Sequence, residues 1–147
     1  MSTERDSYAY FTITSSVPLG EIEAHMGRAG DGGCWSIGDR RKRGAKSIYS
    51  FSRWSLLSGI ERENPLDEHL QALWRRLSVY RTKVIELPEG MNRSVSCVGQ
   101  FKSYKDNIDL ASGYFSTAAY YGLRLDFDFY FDGDFGHEVE GKPCWSW

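Results

Sequence analysis

A chain of 147 residues with 18 Lys and Arg against 20 Asp and Glu has the length of one domain and a net charge of only -2, so its overall charge draws it neither to nucleic acid nor to an anionic membrane. No apolar run reaches the roughly 18 residues of a membrane span, and the polar start from Met1 to Ser7 lacks an apolar signal region, so a cytoplasmic protein is expected. Cys34, Cys97 and Cys144 have neither zinc nor redox spacing and read as reduced thiols.

Tyr8 to Thr14 alternates, with Ala9, Phe11 and Ile13 on one face and Tyr8, Tyr10, Thr12 and Thr14 on the other, and predicts the first strand. Ser15 and Ser16 then offer a cap, Pro18 suits a first helical turn, and Leu19, Ile22 and Met26 recur at helical spacing until Gly27. Residues 27–47 hold six glycines, Trp35 and the basic run from Arg40 to Lys46 with no regular period, and predict a long loop. Loops of that length in compact domains are often functional. Phe51 to Ser58 reads as a second strand, with Trp54 and Leu56 sharing a face.

Asn64, Pro65, Asp67 and Glu68 start a long helix whose stripe is Leu66, Leu70, Leu73, Leu77 and Tyr80; the His69 it carries reads as a solvated or rim histidine rather than a catalytic base. A turn at Pro88 to Gly90 leads to a third strand with Val95, Cys97, Gly99 and Phe101 on one face, Gly99 being a candidate bulge. A third helix bears Phe115, Ala118 and Ala119 and ends at Gly122. Leu123 to Asp132 then alternates without a break: Leu123, Leu125, Phe127, Phe129 and Phe131 form a predicted core wall, and Arg124, Asp126, Asp128, Tyr130 and Asp132 a polar face.

This order predicts an α+β fold, a single sheet of about four strands with helices packed on one face. A ferredoxin-like sandwich with an inserted helix is the first expectation and a doubly wound α/β sheet the second. The whole chain, 1–147, reads as a single domain with its core in residues 8–131 and a tail over 132–147 that packs on the core or extends from it.

Several local patterns resemble the bacterial family catalogued as domain of unknown function 4279. They are Tyr10-Phe11-Thr12-Ile13 before a proline-started helix, Gly38-Asp39, Trp54-Ser55-Leu56-Leu57-Ser58 before the long helix, and Leu123 to Tyr130. The resemblance implies a small protein of no established activity and supplies no catalytic residues.

Chemistry must therefore be read from the residues. Asp128 to Gly133 has the start of a calcium loop, but Tyr130 replaces an oxygen ligand and Val139 stands where the bidentate Glu belongs. Asp126 and Asp128 stand about 7 Å apart on one strand face, a spacing Mg²⁺ shared with a phosphate would accept, but a solvated acidic face is the preferred reading, with no metal and no cofactor. His137 to Glu140 lacks the second histidine of a zincin, and no nucleophile or phosphate-loop motif is present, so enzymatic signals are poor. Tyr8, Tyr10 and Tyr130 could stack bases, but the neighbouring aspartates would repel a phosphate backbone, so nucleic acid is not the expected partner.

Exposed tyrosines among acids suit a protein interface instead. The first expectation is a cytosolic protein-binding module of immunity or regulatory type using Asp126, Asp128, Tyr130, Asp132 and Tyr10. The alternative is a small enzyme or ligand-binding domain for an anionic small molecule, its pocket lined by Trp35, Asp39, Arg53 and Trp54 under the glycine-rich loop.

Overall fold

A computed structural model of the chain describes residues 4–41, 47–101 and 109–131, with the side chains of residues 4 and 5 left aside. Eight elements follow one another: β1 (Glu4–Ser15), α1 (Leu19–Met26), β2 (Ser52–Leu57), α2 (Leu66–Val79), α3 (Arg81–Ile85), β3 (Asn92–Phe101), α4 (Gly113–Tyr121) and β4 (Arg124–Phe131). The four strands form one sheet in the order β2-β1-β3-β4. β1 runs antiparallel to both its neighbours, whereas β3 and β4 are parallel. The α+β class with one open sheet holds, and a single parallel pair in a mixed sheet sets the doubly wound alternative aside.

The strand alternation read from sequence decides which face is buried. Ala9, Phe11 and Ile13 from β1, Trp54 and Leu56 from β2, and Val95 and Cys97 from β3 meet Ile22 and Met26 of α1, the leucine stripe of α2, Val84 of α3 and Tyr114 and Tyr121 of α4 in one cluster. Every described helix thus contributes to the same side of the sheet. Phe11 and Trp54 meet edge-on at 6.2 Å, the geometry that aromatic quadrupoles favour.

Helix ends depart from the local expectation. Gly27 and Gly122 do close α1 and α4 in the left-handed conformation, at φ 77° and 69°. Asn64, however, does not cap α2: its side-chain amide donates back to the Glu61 carbonyl at 3.0 Å, and Pro65 occupies the cap position. The first amide of α1, Leu19 N–H, donates to Ser36 Oγ at 3.0 Å, a hydroxyl supplied by the glycine-rich loop rather than by Ser15 or Ser16. The predicted stripe through Tyr80 is also interrupted, because Tyr80 leaves helical geometry at φ -106° and the chain restarts as the short α3.

Three further expectations are corrected. His69 is no rim residue; it is completely buried, with Nδ1 2.7 Å from Ser58 Oγ. Gly99 marks no bulge: the register shift lies between Glu4 and Asp6 on β1, and Gly99 is instead where the Phe101 ring crosses the strand, 2.7 Å from where a Cβ would stand. The core wall predicted for the last strand is only half covered. β4 is the outermost strand among the described residues, and Phe127 remains 44% exposed, meeting Phe115 at 6.4 Å. An edge strand packs against one neighbour instead of two, so apolar alternation alone does not ensure burial.

Candidate functional site

The opposite face of the sheet carries the even-numbered residues of β1, β3 and β4 and the odd-numbered residues of β2. Register places Arg53 beside Thr14, Ser55 beside Thr12 and Leu57 beside Tyr10; on the other flank Val98 lies between Tyr8 and Asp128, and Ser96 between Tyr10 and Asp126. No described helix packs on this face.

Two chemically different halves result. On the β1/β2 side a continuous ladder runs through rings and cations: Arg41 over Tyr49 at 5.1 Å, Tyr49 stacked on Trp35 at 4.1 Å, and Trp35 5.1 Å from the Arg53 guanidinium. It continues with Arg53 5.2 Å from Tyr10, Tyr10 stacked on Tyr8 at 5.9 Å, and Arg62 4.4 Å over Tyr8. Arg53 is held in place by donating from Nε to Ser55 Oγ at 3.2 Å. A guanidinium over a ring contributes about 0.5–1 kcal/mol at such partly exposed sites, so the ladder stiffens the surface more than it stabilises the fold.

The β4 side is acidic. Asp126 and Asp128 are joined there by Tyr130, which is 51% exposed and donates its hydroxyl to Asp128 Oδ2 at 2.8 Å. That bond, and the negative charge it faces, raises the Tyr130 pKa above its ordinary value. Arg124 pairs with Asp126 at 3.2 Å, but both are largely exposed, and such pairs contribute only about 0.2–1 kcal/mol.

The glycine-rich loop forms the wall on the far side of β2. Trp35 and Arg53 exchange backbone hydrogen bonds of 3.0 and 2.9 Å, and Asp31 N–H donates to the Ser55 carbonyl at 2.8 Å, so the loop runs along the outer edge of β2 as an irregular extra strand. Gly30 allows this approach, since a Cβ there would stand 2.8 Å from the Ser55 carbonyl oxygen. Asp31 is the fastener. One carboxylate oxygen accepts from Leu57 N–H at 2.9 Å and Arg76 Nη1 at 2.8 Å, the other from Arg28 Nη2 at 2.9 Å. Burial would raise its pKa, but the Leu57 N–H and the two guanidiniums outweigh burial and lower it.

The sequence-selected residues therefore separate. Tyr10, Asp126, Asp128 and Tyr130 share the open face, and Arg53 and Trp35 join it through the ladder. Trp54 does not: it is fully buried on the helical side and donates from Nε1 to the Arg28 carbonyl at 3.1 Å. Adjacent residues on a strand point oppositely, so Arg53 and Trp54 cannot line one pocket. Asp39 is a turn residue whose carboxylate accepts from Ser36 N–H at 2.9 Å, beside a depression of about 380 Å³ that also involves Cys34, Trp35, Arg40 and Tyr49. Asp132, the basic residues from Lys42 to Lys46 and the tail with Cys144, Trp145 and Trp147 lie outside the described residues.

The ladder members missed in the sequence are Tyr49 and Arg62. Tyr49 was legible in principle, because Tyr49, Phe51, Arg53 and Ser55 already alternate with the period of the strand they enter. Arg62 was not, since it reaches Tyr8 only through the tertiary fold.

A family model described as domain of unknown function (DUF4279) matches residues 5–132, a span that begins in β1 and ends one residue after β4. The chain belongs to this family. The DUF4279 match runs through the whole glycine-rich loop, where the local motifs supply only Gly38-Asp39. No curated protein and no solved structure matches the chain. Among the described residues of this DUF4279 domain, no helix is long and apolar enough to cross a membrane, and no three His, Cys, Asp or Glu side chains gather where they could hold a metal ion. Cys97 is a core thiol whose pKa burial pushes up to about 12, far from the thiolate a nucleophile requires.

Proposed function

We propose that this DUF4279 domain is a protein-binding module that takes a basic segment of a partner on the acidic β4 side of its open sheet face. The observation that supports it is the position of Asp126, Asp128 and the 51% exposed Tyr130 on a strand at the margin of a sheet whose described helices all lie behind it. Two carboxylates about 7 Å apart with the Tyr130 ring beyond Asp128 in the same row present charge for steering and a rigid ring for anchoring. Base stacking is disfavoured by the same geometry. The rings of Trp35, Tyr10 and Tyr8 already lie against guanidiniums or one another, so they do not offer the open faces an RNA-reading sheet presents.

The proposal predicts association that weakens with salt, because exposed charges are screened over a Debye length of about 8 Å at physiological ionic strength. Replacing Asp126 and Asp128 together by Asn should lower the affinity for a lysine-rich extended peptide at least about tenfold, whereas Arg53→Gln should not. Fluorescence anisotropy at two salt concentrations measures both. Equal binding by the double Asn variant would remove the acidic edge from consideration.

A second reading, supported by the depression beside Trp35, Asp39 and Arg40, is an anionic small molecule bound under the loop. Two of these groups are already engaged, Trp35 by Tyr49 and Arg53 and Asp39 by Ser36, which leaves it the weaker of the two.

A further inference from the structure

The sheet ends, on the side where β3 and β4 begin and β1 finishes, in a polar basin of about 370 Å³ walled by Thr14, Asn92, Arg93, Ser94, Gly122 and Arg124, with Met91 at its rim. Thr14, Asn92, Ser94 and Arg124 bring two hydroxyls, a carboxamide and a guanidinium from the open face, Arg93 reaches the end of the sheet from the helical side, and among the described residues no carboxylate lines the wall. We propose that this basin binds the phosphate group of a small phosphorylated molecule.

Three features carry the inference. The first is charge: a doubly ionised phosphate needs several donors and net positive surroundings, and arginine matches its oxygens with paired N–H groups. The second is how the cations are held. Arg93 is anchored by donating from Nη1 to the carbonyls of Val84 and Ile85 at the end of α3, and its guanidinium lies under Gly122, where an added Cβ would be 3.4 Å from Nη2. Among the described residues Arg124 is held by the exposed contact with Asp126 alone, so its guanidinium can turn to an anion at little cost. The third is space. A volume of about 370 Å³ exceeds a bare phosphate and falls in the range of small-ligand sites. A neighbouring depression of about 420 Å³ shares Thr14 and Asn92 and adds Phe51, an apolar wall for the organic body of the ligand.

The test is a ¹⁵N chemical-shift titration of the full chain with inorganic phosphate and with glycerol phosphate, at constant ionic strength balanced with chloride. Saturable shifts are expected at the amides of Asn92, Ser94, Gly122 and Arg124, with glycerol phosphate binding more tightly and also moving Phe51. Arg124→Gln should weaken binding about tenfold, the usual consequence of losing a charge-assisted hydrogen bond. Asp126→Asn should tighten it about threefold by releasing Arg124 from its competitor. The same Asp126 substitution weakens docking at the acidic edge, so the two proposals stand or fall separately. Shifts no larger than those from chloride, an unaffected Arg124→Gln variant, or weaker binding by Asp126→Asn would each overturn the phosphate site.

Discussion

Replacing Trp54 with alanine is expected to cost about 3–5 kcal/mol of stability, the range for deleting a fully buried large aromatic side chain. For a chain of this size that lowers Tm by on the order of 10 °C. Trp54 is completely buried between β1 and the helices, meets Phe11 edge-on, and ties the glycine-rich loop to the core through its bond to the Arg28 carbonyl. Trp54→Phe separates the contributions: it keeps most of the apolar contact and loses the indole donor, so it should cost roughly 1–2 kcal/mol. Urea unfolding followed by circular dichroism measures both. An alanine variant as stable as the parent would mean that the ring is not in the core.

The second large effect is expected at Asp31. Asp31→Ala leaves the Leu57 amide and the guanidiniums of Arg28 and Arg76 without their common acceptor, at a cost of about 2–4 kcal/mol, because the carboxylate is only 20% exposed. Asp31→Asn should cost less, since an amide oxygen can still accept from Leu57. The pH dependence has a definite sign. The folded-state pKa of Asp31 lies below its ordinary 3.8, so the unfolded chain takes up the proton first as pH falls. Its stabilisation is fully present above that ordinary value and disappears as pH drops through the lower folded-state value. The stability gap between the parent and Asp31→Asn should therefore be widest near neutrality and narrow steadily below about pH 4. A gap that stays constant into that range would show that the ion pairs contribute nothing.

These two residues also show where sequence reasoning reached and where it stopped. Trp54 was recognised as sharing a face with Leu56, and that periodicity, followed strictly, already separates it from Arg53. Its placement in a pocket with Arg53 and Trp35 came from the chemistry of the residue types, which overrode the alternation. Asp31 carried no local signal at all. It sits in a stretch of glycines with no period, and its three partners come from residues 28, 57 and 76, brought together by β2 and α2. The acidic face of β4 was read correctly as Asp126, Asp128 and Tyr130 on one side of a strand, because a period of two requires only neighbours in sequence.

Periodicity, proline and glycine placement, and the leucine stripe of α2 were thus enough for four strands, three of the four helices and the buried side of β1 and β2. Each of these depends on contacts made within a few residues along the chain. Strand order depends on none of them, so only the tertiary structure decided that β1 is central and β4 lies at the margin. That one fact explains why Phe127 is exposed despite a flawless apolar alternation. It also accounts for His69: a histidine one residue from a leucine stripe is buried or exposed according to whether the loop after β2 passes over it with a hydroxyl, here Ser58. The cation–aromatic ladder follows the same logic: alternation relates Tyr8 to Tyr10 and Tyr49 to Arg53, but Trp35 and Arg62 join them only through the fold, because side chains on adjacent strands meet only when register and sheet order are set.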